Sequence, residues 1–455
     1  MVFESINPTT GQSIKSYNVM NFEAVREIIE EIHQGFLLWR KESIEQRSEV
    51  LKAMSKTLRD RKNPYAELIT EEMGKPIVQA RAEIVKCASV CDFYAEHAHE
   101  YLAPRDIQTE ATKSYVAFEP LGIVFAIMPW NFPFWQVFRF LAPALMAGNA
   151  GILKHSPNVT GCALAIEDVI KAAGYKRKIF QTLIIDNDAA ASVIKHSLVR
   201  AVTLTGSTRA GKSVAATAGS VLKKVVLELG GSDPYIILKD ANLADAVPMC
   251  VASRLTNAGQ SCVSAKRFIV VEPLKKQFEE MFVAQMRLKK MGDPMSEDTD
   301  IGPMARFDLR DSLHRQVEQT LKDGAKLLLG GQISDDPGAF YPPTVLSDVK
   351  KGMLAYEEEL FGPVAIIITV QDEEEAITVA NDSPYGLGSA IFSMDEKRAE
   401  IIAREKIDAG CCFVNSIVRS DPRLPFGGVK ESGYGRELSS FGIREFVNIK
   451  TVYVA

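Results

Sequence analysis

The sequence lacks the features that mark oxidising or membrane environments. Its seven cysteines are an odd number spread over 455 residues, which argues against a disulfide framework and for a reducing compartment. No stretch approaches the roughly 18 uninterrupted apolar residues of a membrane-spanning helix, and the N-terminus has no charged-then-apolar leader. We therefore expect a cytoplasmic protein that does not associate with membranes.

The sequence also lacks an excess of positive charge. Lys and Arg number 53 against 58 Asp and Glu, a net charge of -5, so there is no basic field to attract nucleic acid. The spacing of a metal site is absent as well. Cys87 and Cys91 would share one helix face, but no second Cys or His pair stands nearby. The sequence predicts neither a nucleic-acid partner nor a metal.

What is present is the composition of a large globular protein. Hydrophobic residues make up 46% and charged residues 24%, enough for two or three domains. Residues 22–100 show the apolar spacing of helices. From Tyr115 strands alternate with helices, and a second such series runs from Pro234 to about Asn415. This alternation is typical of βαβ units on parallel sheets, so we predict two α/β domains.

The last residues, EFVNIKTVYVA, read as a β-strand with no partner in the neighbouring sequence. An uncovered strand of this kind is prone to aggregate. We expect it to pair across a subunit interface.

One short motif suggests a different function. Gly206–Ser213 fits G-x-x-x-x-G-K-[ST], the phosphate-binding loop of ATP- and GTP-splitting enzymes, between a predicted strand and a predicted helix. Such an enzyme also needs a magnesium-holding Asp at the end of a second apolar strand. The strand VVLE is followed by glycines, and YIILKD is the only other candidate. Whether the chain is a triphosphatase therefore depends on the motifs in the rest of the sequence.

Three other stretches carry residues suited to chemistry. Cys262 lies in NAGQSCVSAKR, a polar, glycine-containing turn that favours a reactive thiolate, although such a loop can also carry an incidental cysteine. Glu228 ends the apolar strand of VVLELGG, where a lone carboxylate can be functional or merely solvated. Asn131, between rings and prolines in PWNFP, must find a hydrogen-bond partner, and a ligand oxygen is one candidate.

Together PWNFP, LELGG and GQSC resemble the aldehyde dehydrogenase superfamily. The resemblance covers nearly the whole chain, from INPTTG through EEMGKP, GNAGILK, TGSTRAG, GPMA, EEELFGP and NDSPYGL to LPFGGVKESGYGRE, and is greatest to the bacterial succinate-semialdehyde dehydrogenases. It implies two Rossmann-like parallel-sheet domains with a small β oligomerisation element. We expect residues 1–101 and 121–229 to bind the dinucleotide, 230–428 to form the catalytic domain, and 102–120 with 429–455 to build a homodimer or homotetramer.

The resemblance also implies roles for the three residues. Cys262 would attack an aldehyde carbonyl, and the side-chain N–H of Asn131 and the backbone N–H of Cys262 would hold the oxyanion. After hydride transfer, Glu228 would activate the water that hydrolyses the thioester. Glu359 would bind the nicotinamide ribose, with Phe361 packing beside the ring. As an alternative, EEEL is a solvated acidic turn.

In such a family member the TGSTRAG segment holds a dinucleotide, and Lys212 and Ser213 are ordinary helix residues, which makes a triphosphatase remote. The other residues expected around the cofactor are Trp130, Gly206, Ser207, Leu229 and Gly230.

Cofactor choice depends on GILKHSPNV. Relatives often carry a Glu here that holds the adenosine ribose and repels a 2'-phosphate. This chain has Pro157 instead, while Lys154 and Ser156 remain to meet a phosphate. We expect NADP, with NAD use also open.

The substrate prediction starts from a charge in an apolar helix. Arg139 lies in FWQVFRFLAPALMAG, where an unpaired charge would cost several kcal/mol, so it needs an anion. The resemblance makes this the distal carboxylate of succinate semialdehyde; a structural carboxylate is the alternative. The expected substrate-binding residues are Arg139, Phe132, Ser420, Phe426 and, more weakly, Arg254.

The sequence leaves the exact substrate open. Glutarate semialdehyde and uncharged aldehydes are also compatible with it, and so in principle is a catalytically silent relative. Ser264 replaces the second cysteine of some relatives, which argues against a local disulfide switch.

Overall fold

A β-hairpin and four helices begin the chain in the computed structural model, which describes residues 1–455. Their bounds are β1 Val2–Ile6, β2 Ser13–Asn18, α1 Phe22–Trp39, α2 Ile44–Asp60, α3 Lys62–Met73 and α4 Ile77–Tyr101. Asn21 caps α1, and Ser43 caps α2 in a reciprocal box with Gln46. The predicted helical block is confirmed.

The next segment forms the first large sheet. Its elements are β3 Arg105–Asp106, β4 Lys113–Pro120, β5 Ile123–Met128, α5 Trp135–Met146, β6 Ala150–His155, α6 Thr160–Ala172, β7 Phe180–Thr182, α7 Asn187–Lys195, β8 Val199–Thr205, α8 Thr208–Gly219 and β9 Lys224–Glu228. Strands β9, β8, β5, β6 and β7 pair in that order, all parallel. The carboxyl ends of β5, β8 and β9 therefore meet at one edge, close to Asn131, Gly206 and Glu228.

A second α/β series follows. Its elements are β10 Pro234–Ile237, α9 Leu243–Leu255, β11 Arg267–Val271, α10 Lys275–Arg287, α11 Phe307–Lys322, β12 Lys326–Leu329, β13 Thr344–Ser347, α12 Leu354–Glu357, β14 Val364–Val370, α13 Glu373–Asn381, β15 Tyr385–Gly386, β16 Gly388–Phe392, α14 Glu396–Glu405 and β17 Cys411–Val414. Seven strands form a sheet in the order β12-β13-β14-β11-β10-β16-β17, parallel except for β12. Successive residues of β10 pack into cores on opposite faces, as in a sheet covered on both sides.

The C-terminal segment completes the first large sheet and adds strands to two small ones. Its elements are β18 Val429–Lys430, β19 Gly433–Tyr434, α15 Ser439–Gly442 and β20 Val447–Val454. Strand β19 joins the first sheet beside β9, antiparallel, which makes it six-stranded, while β18 pairs with β15. The predicted fold class, two mostly parallel α/β units with a small β element, is confirmed.

The last strand has a partner that the sequence did not indicate. Over its whole length β20 pairs with β4 of its own chain, from Val447 opposite Pro120 to Val454 opposite Lys113, and β3 lies on the other side of β4. The other edge of β20 is free, and its pairing across a subunit interface remains a prediction. The two strands are more than 300 residues apart, so no neighbouring sequence reveals the pairing. None of the helices has the length and apolar composition needed to cross a membrane.

Candidate active site

Cys262 follows an unusual backbone turn between α9 and β11. Asn257, Ala258 and Gly259 have positive φ angles of 54°, 52° and 73°, a conformation that costs energy at the two non-glycine residues. Two hydrogen bonds tie Asn257 to distant parts of the chain: its backbone N–H donates to Gln79 Oε1 (2.8 Å) and its side chain to the Asn131 carbonyl (2.8 Å). The turn is thereby fixed and presents a half-buried Cys262.

The Lys266 side chain ties this turn together from behind. Its Nζ donates to the carbonyls of Ser261 (3.1 Å) and Cys262 (2.8 Å), and it forms an ion pair with Glu359 (3.1 Å) while being 1% exposed. A lysine buried this deeply persists only when hydrogen bonds and a counter-charge compensate it. Lys266 thus links the cysteine turn to the predicted ribose ligand.

The Cys262 thiol lies in an environment that disfavours its charged form. Burial raises the pKa of Cys262 to about 12, and the positive charges of Arg139 and Lys266 act in the opposite direction. The thiol is protonated at neutral pH in this state. A proton acceptor is needed before it can act as a nucleophile.

Glu228 has the properties of such an acceptor. It ends β9, is 2% exposed, and neither carboxylate oxygen has a hydrogen-bond partner. Burial raises the pKa of Glu228 well above its ordinary value; the nearby Glu437 raises it further, whereas Arg139 opposes the shift. A side chain at Gly427 would place its Cβ 2.8 Å from Glu228 Oε1, so this glycine leaves room for the carboxylate. A buried carboxyl with a raised pKa suits general acid–base work.

One of the two amide hydrogens of Asn131 has no acceptor in the protein. The Asn131 Nδ2 donates to the Gln260 carbonyl (3.1 Å), and its Oδ1 has no partner although the side chain is buried. An amide carries two N–H donors, so one remains for a ligand. Asn131 and Cys262 line the same cavity.

That cavity brings together many of the predicted residues. It measures about 270 Å³. The predicted residues on its wall are Trp130, Asn131, Gly206, Ser207, Leu229, Gly230, Cys262, Glu359 and Phe361. Glu359 also accepts a hydrogen bond from the Gly231 N–H (3.2 Å), and Trp130 contacts Phe361 edge to face at 5.8 Å. Glu359 is therefore held at the cavity instead of forming a solvated turn.

A second cavity of about 310 Å³ adjoins the first, since Ser207 lines both. Lys154, only 7% exposed, faces it without an ion pair or hydrogen bond, and burial lowers its pKa. Arg209 lies on the same wall. Ser156, whose Oγ donates to Asn158, and Pro157 follow β6 nearby but do not line this cavity.

The motif at Gly206–Ser213 does not form a phosphate cradle of the triphosphatase kind. The Gly206 N–H donates to the Glu228 carbonyl (3.0 Å). The exposed Lys212 pairs with Glu431 (2.8 Å) instead of turning toward the loop. The triphosphatase alternative is therefore wrong.

The anionic partner of Arg139 is a carboxylate of the protein itself. It forms an ion pair with Glu437, both side chains being nearly inaccessible, and its Nη2 donates to Thr205 Oγ1 (3.3 Å). The guanidinium also lies 4.7 Å from the centre of the Phe426 ring. The buried charge of Arg139 is thus compensated by Glu437, a carboxylate of the protein itself. A contact of Arg139 with substrate remains a prediction.

The other predicted substrate residues lie in different surroundings. Ser420 accepts a hydrogen bond from Lys86 (2.7 Å), and Phe132 packs under the Lys75 ammonium at 3.7 Å. Arg254 is fully buried and donates to the Gly259 carbonyl (2.6 Å) in the turn before Cys262. That placement favours support of the turn over contact with substrate.

Sequence reasoning missed three charged residues around the site: Glu437, Lys266 and Lys86. Glu437 ends the GYGRE motif, which is part of the family resemblance, and that position was the one indication in the sequence of a role at the site. Lys266 follows GQSCVSA, four residues after Cys262, and nothing in the sequence indicates that it turns back to the loop. Lys86 lies on an amphipathic helix and reads as an ordinary solvated lysine.

Known proteins resemble this chain over nearly its full length. Residues 1–452 match the Aldehyde dehydrogenase family. The chain is 49% identical over 449 residues to the succinate semialdehyde dehydrogenase [NAD(P)+] Sad of Escherichia coli K12, covering 99% of this chain and 97% of that protein. It is 47% identical over 455 residues to a probable succinate-semialdehyde dehydrogenase [NADP(+)] of Synechocystis, covering both proteins fully.

A solved structure shows the same likeness. The succinic semialdehyde dehydrogenase of Streptococcus pyogenes, determined with NADP+, superposes with a TM-score of 0.97 at 39% identity over 99% of each chain. The family resemblance predicted from the motifs is confirmed. The chain belongs to the aldehyde dehydrogenase family.

Proposed function

We propose that the protein oxidises an aldehyde to a carboxylic acid with NAD(P), through a thioester on Cys262, and that its substrate is succinate semialdehyde. The observation that carries the proposal is the shared cavity: the thiol of Cys262, the free amide hydrogen of Asn131 and the carboxylate of Glu359 surround one space. The full-length relatives named above support the substrate.

The reaction begins with the Cys262 thiol. Glu228 takes its proton, directly or through water, and the thiolate sulfur adds to the aldehyde carbon. The negative charge on the former carbonyl oxygen is held by the second Asn131 N–H and the Cys262 backbone N–H. Loss of one such donor typically lowers the rate about 100- to 1,000-fold. Lys266 and Arg139 favour the thiolate by their charge.

The second half of the reaction releases the acid. A dinucleotide held by Glu359 and the other residues of the two cavities would supply the hydride acceptor, and loss of hydride from the thiohemiacetal carbon would leave a thioester on Cys262. Glu228 releases the proton it took from the thiol to solvent and, as a carboxylate again, removes a proton from water as the water attacks the thioester. The carbon–sulfur bond breaks, the thiol is restored and the carboxylic acid leaves. A carboxyl whose pKa is raised by burial can accept and return protons in both halves.

The two adjoining cavities fit a dinucleotide. Lys154 is a buried cation without a partner in the cavity beside Ser207, which suits a phosphate or ribose oxygen. Gly206, Ser207, Leu229 and Gly230 would line the path of the pyrophosphate and nicotinamide, with Trp130 and Phe361 beside the ring. Glu359 would bind the nicotinamide ribose. We propose NADP as the better cofactor, because Lys154 and Arg209 offer positive charge there and Pro157 offers no repelling carboxylate.

We also propose a homo-oligomer, a dimer or tetramer. Strand β20 is the outer strand of the three-stranded sheet and leaves Ile449 and Tyr453 at least half exposed. An uncovered eight-residue edge with apolar side chains favours burial against another copy. Light scattering of the purified protein tests this proposal, and a monomer at micromolar concentration would contradict it. The predicted cytoplasmic location remains a prediction.

The activity is tested by absorbance at 340 nm with succinate semialdehyde or butanal and either NADP or NAD. We expect faster reduction with the acidic aldehyde and with NADP. Reduction with butanal alone would keep the chemistry of Cys262, Glu228 and Asn131 but refute the substrate. Absence of reduction with any aldehyde would favour a silent relative.

A further inference from the structure

We infer that Lys86 on α4 is a specificity-determining residue: its ammonium, together with the Ser420 hydroxyl, binds the distal carboxylate of the aldehyde. This inference deepens the proposed function and rests on it. It names the cation that selects an acidic aldehyde, a role that sequence reasoning had given to Arg139.

Lys86 reaches from α4 toward the predicted substrate residues. Its half-buried side chain donates from Nζ to Ser420 Oγ (2.7 Å) and lies 4.0 Å from the centre of the Trp135 ring. Trp135 begins α5, four residues after Asn131, and Arg139 is one helical turn further along. The ammonium therefore lies between the helix that follows Asn131 and the loop that carries Ser420.

The charge of Arg139 connects Lys86 to the reaction centre. Burial raises the pKa of the Cys262 thiol and lowers that of the Lys86 ammonium, and the positive charge of Arg139 opposes the first shift and adds to the second. One buried charge is thus close enough to act on both groups. A four-carbon aldehyde needs its anion site only a few bonds from the attacked carbon, which agrees with this shared neighbour.

Lys86 has no carboxylate partner of its own, because each acidic residue around it is already engaged. Glu83 pairs with Lys75 and also accepts from the backbone N–H groups that begin α5. Asp421 pairs with Arg423 (2.6 Å) and Glu437 with Arg139. Arg139 and Lys86 both bring positive charge to this region, but only Lys86 remains uncompensated.

The environment makes an added anion favourable. Burial lowers the pKa of Lys86 to about 8, and the positive charge of Arg139 adds to the effect. A carboxylate beside the ammonium would reverse both influences. The geometry also supplies a second donor: the Ser420 oxygen accepts from Lys86, which leaves its own O–H free to donate. Ammonium and hydroxyl together form a charge-assisted site for one carboxylate, with Trp135 as its apolar wall.

The test compares Lys86→Met and Lys86→Arg with the parent enzyme, on succinate semialdehyde and butanal. Lys276→Met is the matched control, since Lys276 is exposed on α10 and has no ion pair. We expect Lys86→Met to lower kcat/KM for succinate semialdehyde about 10- to 100-fold, mainly through KM, as for a lost hydrogen bond to a charge. The effect on butanal should be at most about threefold, and Lys86→Arg should retain most of the preference.

A pH series supplies a readout that packing alone would not change. The charged and titratable groups near Lys86 are Glu83 and Cys87 on its own helix, Arg139 on α5 and Asp421 in the Ser420 loop. Because the pKa of Lys86 is about 8, KM of the parent for succinate semialdehyde should rise above that pH. The rise should be absent with butanal and absent in Lys86→Arg.

The outcomes separate this inference from the proposed function. A parent enzyme that does not prefer succinate semialdehyde refutes the proposed substrate. A parent that prefers it, with Lys86→Met losing both aldehydes equally or neither, refutes the role of Lys86. If Lys86→Met does not fold, Lys86→Gln and Ser420→Ala decide instead: both should weaken the acidic substrate selectively, and equal effects on the two aldehydes would overturn the inference.

Discussion

Replacing Arg139 by Met should destabilise the protein strongly, because it leaves Glu437 as a buried carboxylate without a partner. The two side chains are 2% and 3% exposed, and no other hydrogen-bond donor reaches either carboxylate oxygen of Glu437. Removing one partner of a buried ion pair typically costs about 3–5 kcal/mol. Since nothing replaces Arg139, we expect a loss of free energy of unfolding within that range at about pH 8.

The loss should depend on pH. Burial raises the pKa of Glu437, and Arg139 opposes the shift, so the variant raises this pKa further above its unfolded value. A group of that kind keeps its full contribution below the unfolded pKa and loses it as the pH rises. The deficit of Arg139→Met should therefore be smaller at about pH 5.5 than at about pH 8.

Urea unfolding followed by tryptophan fluorescence measures both effects. The double variant Arg139→Met with Glu437→Gln is the control: removing both charges should recover at least half of the loss, since replacing a whole buried pair is often close to neutral. An unfolding midpoint of Arg139→Met equal to that of the parent would refute the reasoning. So would a double variant as unstable as the single one.

Other substitutions test the remaining roles. Cys262→Ala should abolish aldehyde oxidation while NADP still binds, as measured by fluorescence titration; retained turnover would remove the nucleophile. Lys154→Met should raise KM for NADP about tenfold or more and KM for NAD much less, because the lost charge faces the predicted 2'-phosphate; equal changes would contradict that contact. Glu228→Gln should lower kcat at least about 100-fold yet raise the unfolding midpoint in alkaline solution, where the parent must bury an ionised carboxylate; an unchanged midpoint would contradict the burial argument. Gly427→Ala should also lower kcat, because its Cβ would meet Glu228 Oε1 and its φ of 149° disfavours a side chain; parent-like turnover would show that the carboxylate has other room.

Local sequence revealed the elements of the fold but not all of their pairings. Alternating strands and helices indicated two parallel sheets, because each element type has its own hydrophobic period. The pairing of β20 with β4 joins residues more than 300 positions apart, and no local period encodes such a contact. For the same reason the apolar run around Arg139 showed that the charge needed an anion, while the identity of that anion, Glu437, depended on how the C-terminal segment folds back.

The site shows a similar division between motif residues and their supports. Cys262 and Asn131 lie in short motifs whose backbone places them at the cavity, so the sequence was enough to select them. The Lys266 and Lys86 side chains instead contact residues on other segments of the chain. From sequence alone a lysine is expected to be solvated, whether or not its side chain turns inward. Their contacts with the Cys262 carbonyl and with Ser420 became visible only in three dimensions.

The atoms left without partners explain why these supports are needed. Both oxygens of Glu228 and the Oδ1 of Asn131 are buried and unbonded, and each such group typically costs about 1–3 kcal/mol. Water, substrate and dinucleotide would supply the missing partners during the reaction, so the folded protein carries this cost in advance. The Lys266 bonds to the cysteine turn and the Arg139–Glu437 pair hold the surrounding backbone in place against it. The stability gained by Glu228→Gln therefore measures the cost of keeping a reactive group without partners. The stability lost by Arg139→Met measures how much the buried ion pair contributes to holding that group in position.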